Sequence, residues 1–118
     1  MAEPYQVKPS DTLLRWLHPG QFNWEENRPT SAAFKDPEMS VDILKLTTIE
    51  ESYIRAQKIG KNAVVSIEAR LIFEKGLEIY HKPVEGNYAH AVVLCTKSKS
   101  IAKFLANNCE IKIYPPKT

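Results

Sequence analysis

A chain of 118 residues has the length of one domain, enough to bury about two thirds of the surface it exposes when unfolded. With 43% hydrophobic and 25% charged residues the composition excludes wholesale disorder, and no apolar run approaches the roughly 18 residues of a membrane span. The formal charge of +2 neither demands nor excludes a polyanionic partner, but it is unevenly spread: residues 1–51 hold nine acids against five bases, leaving 11 basic and 5 acidic groups to the other 67 residues.

Residues 1–10 carry Pro4 and Pro9 and little periodicity, and read as a flexible N-terminal arm ahead of a single domain over 11–118. "TLLRWLH" suits either a short helix capped by Asp11 or a strand, and Pro19-Gly20 ends it. Residues 21–37 show no sustained period and interleave Phe22, Trp24 and Phe34 with asparagines and prolines, the pattern of a long functional loop. "MSVDILKL" alternates Met39, Val41 and Ile43 against Ser40, Asp42 and Leu44, as a strand does.

"TTIEESYIRAQKIG" places Thr47 or Thr48 three residues ahead of Glu50 or Glu51, the capping-box spacing, and stops at Gly60. The apolar stretch after Asn62 predicts a strand at Ala63 to Ile67, a helix from about Glu68 to Lys75 closed by Gly76, and a strand from Leu77 to His81. A hairpin turning at Lys75-Gly76 is the alternative. "YAHAVVLC" reads as a buried strand, "SKSIAKFLANN" as a helix capped by Ser98 or Ser100, and "EIKIY" as a last strand. Intermixed strands and helices with short connections predict an α+β fold: a single two-layer domain, a mixed sheet with two or three helices.

Chemistry concentrates in three places. In "TKSKS" the helix start offers unsatisfied N–H groups, and Lys97, Ser98, Lys99 and Ser100 add donors suited to phosphate, although capping alone accounts for a serine at a helix start. His90 stands between Ala89 and Ala91 on a strand, either as a core histidine or as an acid/base or ligand contact at a pocket wall. The segment "NRPTSAAFKDPEMSVD" gathers Arg28, Ser31, Ser40 and Asp42, arginine being the side chain best shaped for bidentate recognition of an anion. His18, His81 and His90 show no metal-binding spacing, so neither metal nor cofactor is expected.

The order "LLRWLHPG", "RPTSAAFKD", "MSVD", "YAHAVV" and "KSKSIAKFLA" resembles small bacterial proteins, often of cyanobacterial type, over about residues 12–113; that family carries no assigned activity. Arg15, Ser40 and Glu50 or Glu51 also stand in the order of the NAD-binding arginine, hydroxyl and glutamate of RES-type ADP-ribosyltransferases. The glycine-rich arginine-tryptophan segment of those proteins is missing. The resemblance implies NAD as a substrate.

The leading expectation is a pocket joining residues 28–42 to His90 and to residues 97–100, binding a phosphorylated small molecule or a nucleic-acid backbone. In a second reading the same groups act on NAD, a nucleotide or a phosphoester, with His90 as the catalytic residue. In a third the chain is an interaction subunit of a bacterial defence or toxin–antitoxin system, a homodimer or a protein partner's companion, with Phe22, Trp24 and Phe34 as anchors. No basic-then-apolar leader opens the chain, and Cys95 and Cys109 have no CxxC setting, so a cytoplasmic protein with no membrane contact is expected.

Overall fold

The computed structural model describes residues 4–94 and 98–116. In chain order the elements are β1 (Thr12–Leu17), β2 (Phe22–Asn23), β3 (Arg28–Pro29), β4 (Glu38–Ile43), α1 (Ile49–Gln57), β5 (Ala63–Glu68), α2 (Ala69–Glu74), β6 (Glu78–His81), β7 (His90–Leu94), α3 (Lys99–Asn108) and β8 (Glu110–Ile113). Six strands form one sheet in the order β6-β7-β4-β1-β5-β8, and β2 pairs with β3 alone. The fold is α+β, but every pairing is antiparallel where a mixed sheet is the expectation.

Strand β1 explains the layering. Leu13 and Leu17 point to one face and Leu14 and Trp16 to the other, all buried, so the strand must be covered on both sides. One face packs Leu13, Val41, Ile67 and Val93 under α2, α3 and a 3-10 turn at Ser31–Phe34. The opposite face packs Leu14, Trp16 and Val64 under α1 through Ala56. Helices therefore flank the central strands on both faces, and the domain is deeper there than the two layers expected.

Local signals set the ends of the helices. Thr48 Oγ1 accepts from the Glu51 amide at 3.1 Å and opens α1, as the capping-box spacing predicts. Gly76, at φ +75°, ends α2 in the left-handed region that a side chain disfavours. The strand alternative is correct for "TLLRWLH". Residues 21–37, expected as a loop, hold the two-residue strands of the β2–β3 pair and the 3-10 turn, both too short to leave a period. Phe34, expected as an interface anchor, is fully buried in the main core.

The segment expected as a flexible arm packs against the domain from Pro4 onward. Val7 joins the main core. The Tyr5 amide donates to His81 Nδ1 at 2.7 Å, and the Tyr5 hydroxyl donates to both Asp11 carboxylate oxygens at 3.0 and 2.9 Å. Among the described residues no helix is long and apolar enough to cross a membrane.

Candidate functional site

Asp42 lies on the α1 face of β4 and is fully buried. Its Oδ2 accepts from Ser52 Oγ and from Arg55 Nη2, each at 2.8 Å, and its Oδ1 accepts from Asn87 Nδ2 at 2.7 Å. Ser52 Oγ in turn accepts from Trp16 Nε1 at 2.8 Å, and Arg55 Nη2 also donates to Thr47 Oγ1 at 2.8 Å. One carboxylate thus ties together β4, α1 and the loop of residues 82–90. A buried charge is tolerated only when paired and hydrogen-bonded in this way.

Between α1 and that loop lies a cleft of about 410 Å³. Trp16, Ala56, Ile59 and Val84 supply apolar walls, while Ser40, Arg55, Lys58, Asn87 and His90 supply polar groups, with Glu85 also on its lining. The loop is held in shape by paired backbone bonds between Val84 and Asn87, at 3.1 and 2.9 Å, around a turn in which Gly86 takes φ +80°. Asn87 braces it further, its Oδ1 accepting from the Ala89 amide at 3.1 Å. The Arg55 Nε is buried and has no hydrogen-bond partner among the described residues, while the side chain as a whole is partly exposed on the cleft lining.

His90 stands opposite Asp42 in the β4–β7 register. Its Nδ1 is 2.7 Å from the Lys82 carbonyl oxygen. A carbonyl only accepts, so Nδ1 carries a proton, and in the neutral tautomer that this allows the lone pair is on Nε2. The core-histidine reading is replaced by that of a cleft-lining imidazole with a fixed tautomer.

The residues expected to form one pocket divide between two faces of the sheet. Ser40 and His90 line the cleft beside α1, and Asp42 lies sealed beneath it. Asp42 is therefore a support and not a ligand contact, because its oxygens are already occupied by Ser52, Arg55 and Asn87. Arg28, Ser31 and Lys99 line a separate groove beside α3. Lys97 lies outside the described residues. α3 packs on the face of the sheet that carries Ala91 and Val93, whereas His90 alternates to the α1 face, so α3 and His90 lie on opposite faces of β7. The Arg15 guanidinium, on the α3 face, donates to the carbonyls of Ala33 and Ser40 at 3.0 and 2.8 Å and to Asp36 at 2.9 Å.

At the start of α3, Ser98 Oγ accepts from the Ile101 amide at 3.4 Å and lies 3.0 Å from Ser100 Oγ. Both hydroxyls are thereby engaged in capping and in each other. Ser98→Ala should lower stability by about 1 kcal/mol in urea unfolding and leave ligand binding in the cleft unchanged. At the other end of α3, Cys109 donates weakly to the Ala106 carbonyl at 3.5 Å, and burial pushes its thiol up to about 11 against the smaller opposing pull of its backbone hydrogen bond and Arg28. At pH 8 the thiolate is then about one part in a thousand, so iodoacetamide should label the Cys109 peptide far more slowly than a free cysteine, the rate rising toward pH 11.

Sequence reading missed Arg55, Lys58 and Asn87. Ser52 and Arg55, three apart on α1, share a helix face, a signal that could have marked them as partners of an inward-pointing Asp42. Asn87 left no comparable signal in the sequence. In comparisons with protein-family models, curated proteins and solved structures, nothing matched the chain.

Proposed function

We propose that the protein binds a small anionic molecule with an apolar body, such as a phosphorylated one, in the cleft between α1 and residues 82–90. The carrying observation is Arg55: Asp42 fixes its guanidinium, and the side chain stays partly exposed on the cleft lining, beside Lys58 and against apolar walls. A few fixed polar groups set in an apolar cavity of this size are the usual make-up of a small-molecule site. His90 Nε2 adds one acceptor, suited to a hydroxyl or amide of the ligand.

Phenyl phosphate and inorganic phosphate test the reading by titration of ¹⁵N-labelled protein. Phenyl phosphate should move the Gly86, Asn87 and His90 amide signals at lower concentration than inorganic phosphate, because only its ring uses Trp16 and Val84. Lys58→Glu should weaken both. Unmoved signals with both ligands would remove the proposal.

A second reading, turnover in the same cleft, is favoured by the His90 tautomer, since an unprotonated Nε2 can accept a proton. In a screen with p-nitrophenyl phosphate and NAD, His90→Gln should abolish turnover and keep phenyl phosphate binding. Full activity in that variant would exclude the role.

A further inference from the structure

Three cations outside the cleft converge on another surface, where β3 lies against α3. Arg28 Nη1 donates to Asn107 Oδ1 at 2.7 Å. Arg28, Lys99 and Lys103 line a groove of about 320 Å³ together with the hydroxyl residues Thr30 and Ser31. Among the described residues none of these three cations makes an ion pair. Glu26 is the acid on the groove, and its carboxylate accepts from Asn23 Nδ2 at 3.2 Å.

The groove continues past Arg28, Pro29, Ala106 and Asn107 into an adjoining depression of about 300 Å³ that reaches Tyr114. There the Tyr114 and Trp24 rings stack at 6.1 Å and 21°, and they are 49% and 40% exposed. Phe22, nearly buried, meets both rings edge-on and fixes the pair to the domain. The surface is a strip with two lysines at one end, an arginine in the middle and two exposed aromatic rings at the other.

Each part narrows the occupant. Unpaired cations in a row match the repeated charge of a phosphodiester backbone. An acidic protein or a lone phosphate would use the cations and leave the rings without a role. A duplex presents its phosphates but keeps its base faces stacked inside. Single strands offer backbone charge and accessible base faces together, the combination that stacking platforms in cationic grooves accept. We infer that this strip binds single-stranded nucleic acid, with the backbone along Lys103, Lys99 and Arg28 and a base stacked on the Trp24–Tyr114 pair. The site is independent of the cleft beside α1.

Fluorescence anisotropy with 15-nucleotide oligo(dT) and oligo(U) tests it across a salt series. Three phosphate contacts predict a slope of log K against log salt near −2, at about 0.7 per contact. Lys99→Glu with Lys103→Glu should weaken binding at least tenfold and flatten that slope. Trp24→Ala with Tyr114→Ala should weaken it about tenfold with the slope kept. In the unaltered protein, emission from exposed Trp24 should be quenched on binding, Trp16 being buried. Lys58→Glu, in the cleft, should leave oligonucleotide binding unchanged. Equal affinity for duplex DNA or heparin, unquenched emission, or no binding at low salt would each overturn the inference.

Discussion

Asp42→Ala should lower the free energy of unfolding by about 3–5 kcal/mol, the largest loss expected from any single polar substitution in this protein. The reason is the number of donors it strands: Ser52, Arg55 and Asn87 all lose their acceptor, at a site with no solvent exposure to replace it. A urea midpoint that falls while the slope is unchanged would place the loss in the folded state. The Asp42→Ala, Arg55→Met double variant should be more stable than the sum of the single losses implies, because removing both charges leaves no buried ion without a partner. Amide exchange at Ala89 should quicken in Asp42→Ala, since Asn87 braces both that amide and the carboxylate. A midpoint within about 1 kcal/mol of the unaltered protein would show that the carboxylate is not the tie between α1 and the loop.

Arg15→Ala and Asp36→Ala should differ sharply although the two side chains form one ion pair at 2.9 Å. The Arg15 side chain is 6% exposed and that of Asp36 is 60% exposed. Burial lowers the pKa of Arg15, and the hydrogen bond and charge of Asp36 push it back up, so the guanidinium stays charged at neutral pH. Removing it leaves the Ala33 and Ser40 carbonyls without their donor and opens space beneath the sheet. The expected cost is about 3 kcal/mol by chemical denaturation, against less than about 1 kcal/mol for Asp36→Ala, whose carboxylate is already solvated. Equal losses would mean that the ion pair, and not the two carbonyl bonds, is what Arg15 contributes.

How much of this was legible depends on the range over which each signal acts. The Thr48–Glu51 capping box, the Gly76 stop and the alternation of Met39, Val41 and Ile43 are local, and they place α1, α2 and β4 within about three residues; "MSVDILKL" runs on as a strand only to Ile43, and Leu44–Leu46 is a 3-10 turn. The α+β class follows from them. Strand order and antiparallel pairing were not legible, because β1 lies between β4 and β5 through contacts 28 to 56 residues apart in the chain. Nothing in the spelling of "TLLRWL" says which strands will flank it.

The candidate site shows the same division. His90 and Ser40 were legible as polar residues on alternating strands, and both line the cleft. Arg55, Lys58 and Asn87 come from a helix and a loop, and the packing of α1 on the sheet together with the Asp42 hydrogen bonds brings them to those strands. Ser98 and Ser100 offered the most suggestive pattern in the sequence, yet their hydroxyls close the start of α3. The lysine beside them acts elsewhere: Lys99 joins Lys103 and Arg28 because α3 packs against the β2–β3 pair.

By itself the sequence determined where helices start and stop, which strand positions face inward and where positive charge accumulates, since each of these is set by neighbours a few residues away. The tertiary structure alone decided that Asp42 is a sealed hub and that His90 faces away from α3. It alone set Trp24 and Tyr114, distant in the chain, as one exposed stack. Those outcomes depend on closing long loops into a particular strand order, a choice made by the whole core at once and not by any short stretch of residues.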